Sequence, residues 1–455
     1  MIERLGLALA CAMVVASPAV ARDISVSSET GSNDAAGTKE APKKLLWKVM
    51  SELQPGDRVH VAEGRQEGQS KSGVMPKCDV SNVVLEGGWA KDFSERDPFK
   101  HLTIIGPPDD QQGAGVKVIH FESSDNKIAD VTIDGFAIDR GGSNYYFSDG
   151  EPGANKRIEG HFDNSAWGFR DLNRKKSGSD PTIVLIGRGS FTVRNCLLVN
   201  NPWWGIYVKG GGNGTITIEN NLILVSQGRG IESITGGGWG KPTHVIRNNT
   251  VAFSHTLKST EGRALSTDPK DGQGGKYVVE NNVFAFSDGA GVDTKFDVKG
   301  DALALTNNLF FFNRRGDAAT ADEKGSNAAD LGDNVSYKTS GNVHELPKFV
   351  AKMAKAWVDR WSSREFIDML AGSFNKPEEL AAARAALGLG EYEIPGYEKK
   401  FPTYKDLPQS RNSYDMSRYP RPMKKGEGMS WAEAVVPLVG ADAPRGIRPY
   451  APPAT

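Results

Sequence analysis

Five short runs in the middle of the chain repeat one alternation of apolar and polar positions: TVRNCLLV, TIENNLIL, VIRNNTVA, VVENNVFA and ALTNNLFF. Apolar residues, many of them β-branched, recur at every second position, which predicts strands with one buried face. Each run bends at an asparagine. The first asparagines are Asn195, Asn220, Asn248, Asn281 and Asn307, so the steps are 25, 28, 33 and 26 residues. A unit of that length cannot bury its own apolar face, so the units are expected to stack into a solenoid with a continuous core. The asparagines should occupy a tight corner, tolerating left-handed backbone and hydrogen-bonding from coil to coil. Helical repeats need helical spacing and leucine-rich repeats their leucine consensus; VVENNVFAF offers neither.

These runs resemble the coils of the right-handed parallel β-helix of the pectate-lyase-like (pectin lyase-like) superfamily, over roughly residues 45 to 340. The expectation is an all-β, right-handed parallel β-helix solenoid with an N-terminal helical cap, a C-terminal α-helical cap and an irregular tail. The expected layout is a signal peptide at 1–21, a flexible leader at 22–42, the β-helix at 43–345, and the helical cap and tail at 346–455.

The stretch LLWKVMSELQPGDRVHVAEG reads as a short amphipathic helix, a turn at Pro55-Gly56 and a strand from Arg58 to Ala62. Such a helix covers the open end of a solenoid and blocks edge pairing. GGWAKDFSERD resembles a segment met in β-helix surface proteins and is read as structural. Strand alternation lapses at 140–180, a long insertion with Tyr145, Tyr146, Phe147, Phe162, Trp167 and Phe169. So aromatic a loop is expected to wall a groove. Beyond Pro347, Phe349, Val350, Met353, Ala354, Trp357, Val358 and Trp361 follow helical spacing and should pack on the coils. A further short helix is expected after Ser363, and another from Pro377, with Glu378 and Glu379 in its first turn and Gly388 at its end. From Leu389 on, proline, tyrosine and arginine without period predict a tail laid over the surface.

The segment Met1 to Ala21 carries Arg4, an apolar run from Leu5 to Ala16 and Ala19-Val20-Ala21, a small-x-small cleavage pattern. The chain is therefore expected to be exported, periplasmic or secreted; the apolar run is too short to span a bilayer. A net charge of −1 argues against bulk electrostatic binding of nucleic acid or anionic membrane, so a partner must be recognised locally. The mature chain keeps Cys78 and Cys196, and Cys196, at a second-asparagine position, is expected to be a buried free thiol. The chain is expected to work as a monomer.

Aligned on their asparagines, the repeats also align the strands GIYVKG (205–210), GIESIT (230–235), RALSTD (263–268) and GVDTKF (291–296). Alternation places Ile206, Ile231, Ala264 and Val292 inward, with Val208, Ser233, Ser266 and Thr294. The outward set is then Tyr207 and Lys209, Glu232 and Ile234, Leu265 and Thr267, and Asp293 and Lys295, with Asp268 at a strand end. Coils stack about 4.8 Å apart, so these side chains form an array on one exposed face.

In the superfamily that the chain resembles, this face binds extended acidic polysaccharides, which makes such a polymer the expected partner. Breaking or inverting a uronate at C5 needs a cation for its carboxylate, a base for the C5 proton and an acid to return one. Lys209, Arg229, Arg263, Lys270 and Lys295 are candidates for the first role; Lys295, Lys270, Tyr207 and His255 are candidates to move protons. Asp268-Pro269-Lys270-Asp271 resembles the Asp-Pro-His-Asp signature of mannuronan C5-epimerases, with lysine in place of histidine, which weakens the proton shuttle. Trp203, Trp204 and Trp239 are candidates to stack on sugar rings or to pack the loops. Substrate binding thus falls to Lys209, Glu232, Arg229, Asp293 and the three tryptophans, with polysaccharide lyase or C5-epimerase as the leading activity. A noncatalytic glycan-binding or polysaccharide-export scaffold and a glycoside hydrolase remain open, as does a solvated charge ladder with no activity. These residues fix no cofactor, and Ca²⁺ stays open, with Glu232 and Asp293 as its candidate ligands.

Overall fold

The computed structural model describes residues 21–69, 75–106, 117–139, 181–201, 204–226, 228–254, 262–268, 274–287, 289–294, 298, 300–313, 315–319, 337–353, 377–388 and 431–452. Its strands form three sheets of ten, eight and nine strands, and successive strands of each sheet are contributed by successive coils. Among the described residues, the strands of these sheets pair in parallel. Parallel strands joined by crossovers through two other sheets make a parallel β-helix, as the repeats predict. The interior is one apolar column running from Ile24 and Val26 in the first coil to Leu303, Leu305 and Tyr337 near the last.

The corner asparagines Asn195, Asn220, Asn248, Asn281 and Asn307 have φ between 53° and 56°, as expected. The tighter ladder is formed by the residue after each. Asn221, Asn249, Asn282 and Asn308 are fully buried, and each carboxamide oxygen accepts from the backbone of the coil before it. Their amide groups donate to Val193, Ile218, Ile246 and Val279 carbonyls. The corner can therefore turn inside the protein without orphaned backbone groups. Cys196 stands at the head of this ladder as a buried free thiol, and burial pushes it up to about 12.

Regular structure already occurs within the expected leader. Asp23–Val26 is a strand in register with Arg58–Val61, so this part of the expected leader at 22–42 is the first rung of the ten-stranded sheet. Ile24 and Val26 supply the inward alternation, and the Ser- and Gly-rich residues after them form turns rather than a free tail. Helix Leu46–Ser51 then covers the interior of the first coil with Leu46, Val49 and Met50, as expected.

A second apolar cluster lies on the outer side of the nine-stranded sheet. Leu197, Leu222, Leu224, Phe253, Phe286, Phe311 and Phe312 are covered by helices Phe349–Lys352, Pro377–Ala386 and Trp431–Val435. Phe253 and Phe286 stack 4.9 Å apart, and Phe349 meets both edge-on. The last helix is a departure from the expected irregular tail, because Trp431–Val435 adds one more apolar turn to this flank. Residues 440–450 behave as a strap: Arg448 donates to Asn220, Gly446 to the Asn281 carbonyl and Arg445 to Asn307, running back along the corner ladder. Arg96 donates to Tyr450 at 3.0 Å, so the strap spans coils from residue 307 back to residue 96. Trp357, Trp361, the helix after Ser363 and the aromatic insertion at 140–180 lie outside the described residues. No helix among the described residues is long and apolar enough to cross a membrane.

Candidate functional site

The eight-stranded sheet carries the residues singled out by sequence, and its register corrects one strand. Ile206, Ile231, Leu265 and Val292 are in line, followed by Tyr207, Glu232, Ser266 and Asp293. Leu265 is therefore a core residue and Ser266 faces outward, the reverse of the expectation; Thr267 lines up with Ser233 and turns inward. The slip arises because Asn248 to Leu265 is six residues longer than Asn220 to Ile231, so an alignment on asparagines leaves this strand's start undetermined.

The outward column is not the open charge array expected. Glu232 is 1% exposed and Asp293 5%, while Arg229, Arg263 and Arg315 are between 5% and 7%. Arg229 Nη1 lies 2.5 Å from Glu232 Oε1. Asp293 Oδ2 is 3.0 Å from Arg263 Nε and 3.1 Å from Arg315 Nη1. Bringing these groups out of water is tolerable only because each charge meets its opposite at contact distance. A solvated ladder is excluded by the burial. Glu232 and Asp293 do not fit a Ca²⁺ site either, since guanidinium groups already occupy the positions a cation would take, and no group of three or more candidate ligands occurs among the described residues.

Trp204 is also buried, with its ring 4.8 Å from the Arg229 guanidinium and 5.2 Å from the Tyr207 ring. It packs the site rather than offering a sugar platform. Tyr207 itself is half-buried, and burial together with neighbouring Glu232 raises its phenol well above the usual range. It therefore stays protonated at neutral pH, as a weaker acid than an ordinary tyrosine. Lys209 stands in the next outward position with its ammonium 4.8 Å from the Trp239 ring, and Arg188 approaches the same ring at 5.6 Å. Trp239 is half-buried between two cations, a setting suited to an aromatic contact beside an anionic ligand. On an earlier coil His120 continues the column, bonded to Glu122 at 2.9 Å and held down to about 4 mainly by burial.

Asp268 sits just past strand Leu265–Thr267 and is half-buried. Its Oδ1 accepts from the Thr235 amide at 2.8 Å and from the Tyr277 hydroxyl at 2.5 Å. Tyr277 reaches it from inside the solenoid, where its ring stacks on His244 at 4.1 Å. His244 is fully buried between Ser233 at 2.7 Å and Thr235 at 3.2 Å. Sequence reasoning missed Tyr277, Thr235, His244, Ser266 and Arg315. A signal existed, because Ser233, Thr235 and His244 put polar groups at inward positions of otherwise apolar strands.

Arg229, Glu232, Tyr207 and Trp204 are thus brought together, as are Arg263 and Asp293, while Lys209 and Trp239 form a separate contact. Lys295, Lys270, His255 and Trp203 lie outside the described residues. No family model matches the chain, and no curated protein matches it. Among solved structures, a rhamnogalacturonan lyase is similar at 12% identity and a TM-score of 0.32, over 74% of this chain and 92% of that one. A pectate lyase is similar at 12% identity and a TM-score of 0.30, over 72% of this chain and 79% of that one. A lacto-N-biosidase from Eubacterium ramulus follows at 11% and 0.29, over 71% of this chain and 68% of that one. Likeness at this distance says nothing about activity; the paired strands in three sheets identify the chain as a parallel β-helix protein.

Proposed function

We propose that the outer face of the eight-stranded sheet handles an acidic, uronate-containing polysaccharide by removing the proton at C5. The observation that supports it most is the gathering of cationic side chains there. Arg229, Arg263 and Arg315 pair with Glu232 and Asp293 in this column, and Lys209 and Arg188 flank Trp239 beside it, in a chain of net charge −1. Such a face attracts a polyanion, and carboxylate-anchored guanidinium groups are already oriented to receive one.

In this reading a guanidinium or Lys209 neutralises the uronate carboxylate and so acidifies the C5 proton. Tyr207, protonated and in register beside Glu232 on the outward column, serves as the acid that returns a proton to carbon or to the departing oxygen. After the base removes the C5 proton, expulsion of the 4-linked sugar gives a lyase and protonation from the opposite face gives an epimerase. Lys295, Lys270 and His255 are the candidate bases, and Asp268 is a further candidate carboxylate. Export, with cleavage after Ala21, belongs to the same proposal.

The burial of Glu232 and Asp293 favours a second reading, a noncatalytic glycan-binding scaffold whose ion pairs only shape the face. Incubation of the mature protein with alginate, pectate and glycosaminoglycans separates the two. New ultraviolet absorbance from an unsaturated uronate marks elimination, and new reducing ends without absorbance mark hydrolysis. Retained binding with an unchanged C5 hydrogen marks the scaffold.

A further inference from the structure

We infer that Tyr277, from inside the solenoid, is the positioning residue of Asp268. The inference rests on the proposed function for the use made of Asp268, but the geometry stands apart from it. Two donors converge on one carboxylate oxygen, the Thr235 amide at 2.8 Å and the Tyr277 hydroxyl at 2.5 Å. A carboxylate bound this way at one oxygen has its rotation about the Cβ–Cγ bond fixed, and its anionic form is favoured.

The support behind it is rigid and uncharged. Tyr277 is fully buried, flat against His244 with 14° between the rings. His244 is wedged between the Ser233 and Thr235 hydroxyls, and Thr235 Oγ1 also accepts from the Gly275 amide at 3.0 Å. Burial lowers His244 to about 3, and burial with the Asp268 charge raises the Tyr277 phenol. Both therefore keep one protonation state across the range in which an exported enzyme works. Asp268 is the half-buried end of this chain of contacts, where the interior meets the outer face. An apolar core would need none of these groups, since a buried polar network is tolerated only when its members are mutually satisfied. Its position behind one carboxylate gives it a purpose.

Tyr277→Phe removes the hydroxyl and keeps the stacked ring, so the experiment compares it with wild type, Asp268→Asn and the double variant. On an oligouronate the expected result is a kcat about 10- to 100-fold lower with KM little changed, and no further loss when Tyr277→Phe is added to Asp268→Asn. In parallel, ¹³C resonance titration of the Asp268 carboxyl, assigned with Asp268→Asn, should move upward by about 1 to 2 pH units in Tyr277→Phe. An unchanged carboxyl titration overturns the inference whatever the activity shows. Full additivity of the two substitutions in kcat overturns it as well. Wild-type inactivity on every uronate would instead remove the proposed function, while the carboxyl titration still decides the role of Tyr277.

Discussion

Arg229 Nη1 sits 2.5 Å from Glu232 Oε1, three residues along the same chain, and both side chains are withdrawn from water. One strand start thereby supplies both members of a buried ion pair on the candidate face. The pair makes the face self-supporting, and it sets what substitution there should cost.

Removing Glu232 takes from the buried Arg229 guanidinium the carboxylate at contact distance. Glu232→Ala should therefore destabilise the protein by about 3 to 5 kcal/mol, and Arg229→Met in the same background should recover part of it. Denaturant unfolding of the two single variants and the double variant checks this. Equal and additive losses would show that the two groups act on other partners.

The two asparagines of the Asn248-Asn249 corner should respond unequally. Asn249 carries bonds to Asn221, Asn282 and the Ile218 carbonyl, so Asn249→Ala should cost about 2 to 3 kcal/mol by leaving buried groups unpaired. Asn248 is half-buried with φ of 55°, a conformation glycine adopts freely, and its side chain meets the rim of the strap at the Pro444 carbonyl, so Asn248→Gly should stay within about 1 kcal/mol of wild type. Thermal unfolding of both variants gives the comparison, and a larger loss at Asn248 would place the ladder on the wrong asparagine.

How much of this was legible in the sequence follows from what repeats. The corner asparagines were readable because one residue type returns at one place in five coils, and each φ is then dictated by the same turn. The strand Asp23–Val26 was not, because four residues of alternation were outweighed by the Ser- and Gly-rich stretch after them. The slip at Leu265 came from a loop of unequal length, and a single-residue slip exchanges core for surface in a strand. The Arg263–Asp293 and Arg315–Asp293 pairs join residues on different coils, so nothing local announces them. Tyr277 in KYVVE looks like any core aromatic until its hydroxyl is seen to end on Asp268.

The strap along the corner ladder should contribute measurably to stability. Ile447 is 1% exposed in the flank cluster, and its amide donates to Thr250 at 3.0 Å. Ile447→Ala should lower stability by about 2 to 4 kcal/mol, whereas an unchanged melting temperature would mean that the strap adds nothing to the coils.

His344 ties helix Pro377–Ala386 to the last coils, 2.9 Å from Asp317 and 3.4 Å from Glu379. Hydrogen bonds to these two carboxylates raise it to about 9 from its ordinary 6.5. The folded state then binds the proton more tightly than the unfolded one. The stabilisation is complete below about 6.5 and is lost as pH rises through about 9. Melting temperature followed from pH 6 to 10 should fall over that window in wild type and more weakly in His344→Gln; identical profiles would contradict the assignment.

The central claim is removal of the C5 proton of a uronate, and both of its branches share one observable. Elimination leaves C5 without a hydrogen, and epimerisation in heavy water replaces it with deuterium. Proton NMR of alginate, pectate and a glycosaminoglycan incubated with the mature protein in D₂O therefore tests it most directly. The account predicts loss of the C5–H signal on one of these polymers, slowed about 10²- to 10⁴-fold by Lys295→Ala. An intact C5–H signal on all three, with or without new reducing ends, would contradict it.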